Sequence, residues 1–124
     1  MTIYYFGNAL RPDDTLPRSV IQQLKQQFPA YAFIHADPTE NWWRGEKKPV
    51  IIDTIEGLQR VTIFRSLDRF EKPPFVTPHD YDLYTDLMLM RKIGKINSFT
   101  LIGVPQKSNS SMLVKQLTKI LSNL

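Results

Sequence analysis

Hydrophobic positions along the chain alternate between two spacings, one suited to strands and one to helices. Thr2–Phe6 is a short apolar, aromatic run closed by Gly7-Asn8, which predicts a strand entering a turn. After the polar stretch Ala9–Asp14, the residues Leu16, Val20, Ile21, Leu24 and Phe28 recur at spacings of three and four, the stripe of an amphipathic helix. Asp14 or Thr15 is placed to cap it, Pro17 is tolerable in its first turn, and Pro29 stops it. Tyr31–Ile34 predicts a second strand, leading into His35-Ala36-Asp37-Pro38. Thr39–Lys48 is polar apart from Trp42 and Trp43 and reads as a loop or one short helix. Val50-Ile51-Ile52 is a β-branched run of the kind buried on both faces of a sheet, and Asp53 ends it.

Beyond the Glu56-Gly57 turn, Arg60–Phe64 alternates as an antiparallel or edge strand, and Asp68–Pro78 is proline-rich and irregular. His79 precedes a helix with Tyr84, Leu87, Met88 and Arg91 along one side and Gly94 as its C-terminal stop. Phe99–Val104 is a further buried strand. A serine cap within Ser108–Ser111 then begins a last helix that turns Val114, Leu117, Leu121 and Leu124 inward. The order β-α-β-(α)-β-β-α-β-α predicts a single α/β domain over residues 1–124. It has three layers, with a mostly parallel twisted sheet of about five strands between helices.

Composition narrows the chemistry more than the fold. With no cysteine there is no thiolate nucleophile, disulfide or Cys-based metal site, so any metal must be held by carboxylates, backbone oxygens and His35 or His79. The 16 basic against 12 acidic residues leave a net charge of +4, but the basic residues are scattered rather than set in a stripe with aromatics. The expectation is therefore no nucleic-acid partner. No apolar run approaches the length of a membrane span, and Met1–Gly7 lacks the basic and apolar regions of a signal peptide. A cytoplasmic monomer without membrane insertion is the expectation.

In an open α/β sheet, ligands collect outside the carboxyl ends of the parallel strands. Four segments open onto that edge: Gly7–Asp14, His35–Glu40, Asp53, and Thr77-Pro78-His79-Asp80. Asp14, Asp53 and His79 could meet there, two carboxylates and one imidazole, a set suited to a borderline divalent ion such as Zn²⁺ or Ni²⁺ with open positions for water or substrate. Such an ion polarises a carbonyl and lowers the pKa of a bound water. Plain alternatives stand beside each residue. Asp14 fits an ordinary helix cap, His79 a surface position, and His35 a structural or exposed role better than a ligand. Asp53 is harder to dismiss, because a carboxylate closing a buried strand is costly unless paired or bound to a cation. Trp42 and Trp43 beside Arg44 suit a recognition surface, or equally one ring over the core and one half exposed. No complete phosphate-loop or serine-elbow motif is present.

Four segments, in this order, resemble the maturation endopeptidases of nickel–iron hydrogenases. They are Gly7-Asn8-Ala9-Leu10-Arg11-Pro12-Asp13-Asp14, Val50-Ile51-Ile52-Asp53, Thr77-Pro78-His79 and Leu101-Ile102-Gly103-Val104. The resemblance implies a twisted, mostly parallel sheet and an aspartic-type endopeptidase that removes a C-terminal extension from the hydrogenase large-subunit precursor after nickel insertion. It also implies that Asp14, Asp53 and His79 are both metal ligands and catalytic residues, with the nickel supplied by the substrate and zinc or cadmium able to substitute. Asp37 and Thr39 would then touch the substrate or support the ligands. The chain departs from the family pattern at Pro12, Thr15 and Pro17, where glycines are usual, and at Asp37-Pro38-Thr39, in place of a glycine-rich turn. It is also short between Val104 and the last helix. Two alternatives remain: a non-catalytic relative that binds nickel or protein, and an α/β module that takes a small anion at the Gly7-Asn8 turn.

Overall fold

The computed structural model describes residues 1–6, 16–36, 42–43, 45–55, 57–65, 86–106 and 109–124. Among the described residues five strands form one sheet: β1 (Thr2–Phe6), β2 (Ala32–Ala36), β3 (Val50–Ile55), β4 (Thr62–Arg65) and β5 (Thr100–Pro105). Their spatial order is β2-β1-β3-β5-β4. All neighbouring pairs are parallel except β4 with β5. Among the described residues three helical stretches flank the sheet: α1 (Arg18–Gln27), α2 (described over residues 86–92) and α3 (Ser110–Ser122).

Alternation along the strands sends side chains into two separate cores, as a sheet covered on both faces requires. Ile3, Ile52 and Ile102 face α1 and α3, joining Val20, Leu24, Leu117 and Leu121. Tyr4, Phe6, Ile51 and Leu101 face the other way, joining Leu87 of α2 and Trp42. This is the three-layer α/β architecture expected from the sequence, with the alternating run at residues 62–65 forming an antiparallel edge strand. Thr118 Oγ1 donates to Gln27 Oε1 at 2.7 Å, tying α3 to α1 on the solvent side of their shared core.

The helix ends correct several expectations. The N-cap of α1 is Pro17, not Asp14 or Thr15, and the Pro17 carbonyl accepts from Val20 N–H at 3.0 Å. Leu16 precedes the cap and shares a core cluster with Ile21, the pairing of a hydrophobic staple. Apolar burial, in place of a polar cap, sets this start. The α3 cap is Asn109, not a serine: its Oδ1 accepts from the amides of Ser111 at 2.9 Å and Met112 at 3.2 Å. On α3, Leu113 joins Val114, Leu117 and Leu121 in the core, whereas Leu124 is exposed. Within residues 42–49 the described positions form turns rather than a helix. The irregular stretch Asp68–Pro78 lies outside the described residues.

Gly94 ends α2 as its position suggested. Its φ is +82°, its N–H donates to Arg91 O, and the next amide, of Lys95, donates to Met90 O at 2.9 Å. That pair of bonds is a Schellman motif, which needs a left-handed residue where these bonds cross. A Cβ at Gly94 would touch nothing within 4 Å, so only backbone strain opposes a side chain there. Gly94→Ala should therefore lower stability by about 1 kcal/mol, read as a shifted urea midpoint with an unchanged slope.

Candidate functional site

The β3 segment Val-Ile-Ile is central, flanked by parallel β1 and β5, and its β-branched residues are buried on both faces. Asp53 follows them but does not end the strand. Thr54 and Ile55 continue the ladder against Val104 and Pro105, so the carboxylate is the fourth of six strand residues. The extension follows from composition, since Thr54 and Ile55 are themselves β-branched and buried.

Asp53 is half-buried and pairs in register with Gly103 of β5. On the other side, β1 meets β3 through Tyr5↔Ile52, and Phe6 is the next residue along β1. By alternation Asp53 shares its sheet face with Ile51 and Ile55, the face of Tyr4, Phe6 and Trp42. The sheet order reverses between β1 and β3, because β1 is followed outward by β2 and β3 by β5. Asp53 therefore stands near the carboxyl end of the strand that borders the topological switch point, where open α/β sheets bind their ligands.

The sequence indicates the surroundings of that face only in part. Trp42 is buried and meets both Tyr4 and Phe6 edge-on at centroid distances of 5.2 Å. Tyr4 is packed into the same cluster and its hydroxyl donates to Glu46 Oε2 at 2.9 Å, giving the phenol a polar partner at its tip. Trp43 is half-buried with its ring edge-on to Trp42 at 6.1 Å. One tryptophan over the core and one partly exposed is the arrangement weighed against a recognition surface in the sequence. Nothing in the sequence marks Phe6 as part of the site, though its parity with Tyr4 in β1 points it to the Asp53 face. On the β5 side, a Cβ at Gly103 would lie 2.8 Å from Cδ1 of both Ile55 and Leu58, so the lack of a side chain there lets these residues close over the strand.

The two histidines can now be separated in part. His35 lies within β2, exposed, with its ring stacked on Tyr5 at 5.1 Å and an interplanar angle of 14°. It is level with Tyr5, on the face that packs α1 and α3, opposite the face of Asp53. This accords with an exposed or structural role. Asp14, Asp37, Thr39 and His79 lie outside the described residues. Among the described residues no group of three His, Asp or Glu side chains is gathered as a metal site. Within them, Asp53 is the one proposed ligand, and its chemistry is that of an oxygen donor suited to a divalent cation. Held on a central strand, it can accept hydrogen bonds, bind a cation or take up a proton from a water.

Among solved structures, the chain is similar to the [NiFe] hydrogenase maturation protease HybD from Thermococcus kodakarensis. The likeness covers 98% of this chain and 97% of that one, with a TM-score of 0.62 and 20% sequence identity, and at that identity it establishes the fold. No protein-family model matches the sequence. No curated protein matches it either. Among the described residues no helix is long and apolar enough to cross a membrane.

Proposed function

We propose that this chain is an endopeptidase of hydrogenase maturation, cutting a C-terminal extension from a nickel–iron hydrogenase large-subunit precursor once nickel is in place. The observation that carries the reading is the position of Asp53. It sits beside the switch point of the sheet, in a chain similar over nearly its whole length to a [NiFe] hydrogenase maturation protease. The four sequence segments that resemble that family are consistent with it, and Asp53 belongs to the second of them.

In this reading Asp14, Asp53 and His79 grip the nickel that the substrate carries, so that the precursor is recognised as loaded before it is cut. Two carboxylates and an imidazole fit a borderline divalent ion, and cadmium or zinc would suit the same donors. When bound, the ion supplies Lewis-acid polarisation to the scissile carbonyl. Asp53 contributes a negative charge from a backbone position that the ladder of β3 with β5 holds in place before the substrate arrives. Asp37 and Thr39 would contact the extension or orient a ligand. The cytoplasm, where such precursors are assembled, would be the site of action, and a monomer would suffice.

Mixing the purified protein with nickel-loaded and nickel-free precursor tests the proposal, with intact mass reporting the cut. Cleavage of the loaded form alone is the expected result. Nickel-dependent binding without cleavage would identify a non-catalytic relative, and failure to bind either form would remove the reading altogether.

A further inference from the structure

We propose that the outer face of α2, with the turn that follows it, docks an acidic segment of a partner protein that carries an apolar anchor. This surface is separate from Asp53 and does not depend on the hydrolytic reading. The helix packs Leu87 completely into the core, with Met88 and Met90 against the same cluster. On its other side Leu89 and Ile93 are 54% and 58% exposed. Ile93 directly follows the helix and its N–H donates to Leu89 O at 3.0 Å, so the two side chains stand one turn apart as a single apolar pair.

This pair runs into a basic, well-tied corner. Lys47 Nζ donates to the carbonyls of Gly94 and Lys95, both at 3.3 Å, at the end of α2 where orphan carbonyls concentrate negative partial charge. The Lys47 carbonyl in turn accepts from Asn97 N–H at 2.7 Å, locking the residue 45–49 turn against the one after α2. Lys95 Nζ lies 5.3 Å from the centroid of half-buried Trp43. Across residues 45–49 and 86–98 the exposed charged side chains are the basic Lys47, Lys48, Lys92 and Lys95 against Asp86, while Glu46 is half-buried and accepts from Tyr4. An apolar pair bordered by this surplus matches a segment that places acidic residues around an aliphatic anchor. Tryptophan at its margin is the residue type that most often anchors such contacts. The tied turns mean that little ordering is needed on this side of the complex.

The probe is a fluorescein-labelled helical peptide with leucine and isoleucine one turn apart among glutamates, paired with a version carrying lysines for glutamates. Anisotropy should show the acidic peptide binding about tenfold more tightly than the basic one, and less tightly at high salt. The double variants Leu89→Ser/Ile93→Ser and Lys48→Glu/Lys92→Glu should each weaken it about tenfold, with wild-type melting curves confirming that both fold. All four positions are exposed, so the two variants test anchor and charge independently. Equal binding of the two peptides, or undiminished binding by both variants, overturns the proposal. So does preferential binding to phosphatidylserine vesicles that the same variants abolish, which would make the face a membrane contact. Dimerisation of the wild type that Leu89→Ser/Ile93→Ser disperses would instead assign it to a second copy.

Discussion

Asp53→Asn should abolish Ni²⁺ and Zn²⁺ binding and any precursor cleavage while leaving the fold almost as stable as before. Asparagine has nearly the same shape and keeps a carbonyl oxygen for local hydrogen bonds, so it isolates the charge. Asp53 sits in the β3 ladder, whose backbone pairing with β5 does not depend on that charge. Half-burial leaves the side chain in partial contact with water, which limits the change in stability to about 1 kcal/mol. The proposed site would lose one of its two anionic donors. Titration calorimetry should then show at least about a 100-fold loss of metal affinity, larger than the usual effect of disturbing a supporting residue. His35→Ala is the matched control. It removes an imidazole from the opposite face of the sheet, where His35 stacks on Tyr5, and should leave metal binding unchanged. If Asp53→Asn binds metal as wild type does, or if His35→Ala loses it, the assignment of donors is wrong. A collapse in the melting temperature of Asp53→Asn would instead make the carboxylate a structural group.

Different parts of this arrangement were legible in the sequence to different degrees, for physical reasons. Asp53 stood out because a charge interrupting a β-branched run is conspicuous against its neighbours. Its place within the strand was less clear, because a charge also reads as a boundary; the pairing of Ile55 with Pro105 shows the ladder going on. The face of His35 follows from parity once β2 is known to include it, but a strand ending at Ile34 leaves its direction open. Of the α3 cap, Ser108, Asn109, Ser110 and Ser111 all have side chains able to accept an amide hydrogen bond. Which one does so depends on where Leu113 must enter the core, a tertiary requirement. At α1 the same competition ended differently. The Leu16–Ile21 apolar pairing coincides with a start at Pro17, which has no side-chain hydrogen bond to offer. Strands β1, β3 and β5 were the easiest elements, since burial on both faces writes a nearly continuous apolar run.

Trp42→Ala should be among the most damaging single substitutions in the chain, costing about 3–5 kcal/mol, a large part of the stability of a typical domain. Parallel strands need a long crossover, usually a helix, and β2 reaches β3 through residues 37–49. The described residues of that crossover form turns, so no helical stripe is available from them to cover the sheet. Trp42 supplies the cover with one side chain, packing edge-on to Tyr4 and Phe6 within the same core that receives Leu87 from α2. An aromatic ring does this well because it buries about 200 Å² at the cost of ordering only two torsions. Alanine would leave a cavity under the crossover, next to the sheet face that carries Asp53. Trp42→Phe, which keeps a ring but less of its volume, should cost about 1–2 kcal/mol. Urea unfolding followed by circular dichroism would rank the two, and Trp43→Ala, at the half-buried neighbour, should fall below Trp42→Ala. Equal losses at Trp42 and Trp43 would mean that the crossover is held by the tryptophan pair as a unit. A small loss at Trp42 alone would mean that the crossover settles onto the sheet without it, and that the apolar cover beneath Asp53 comes from α2.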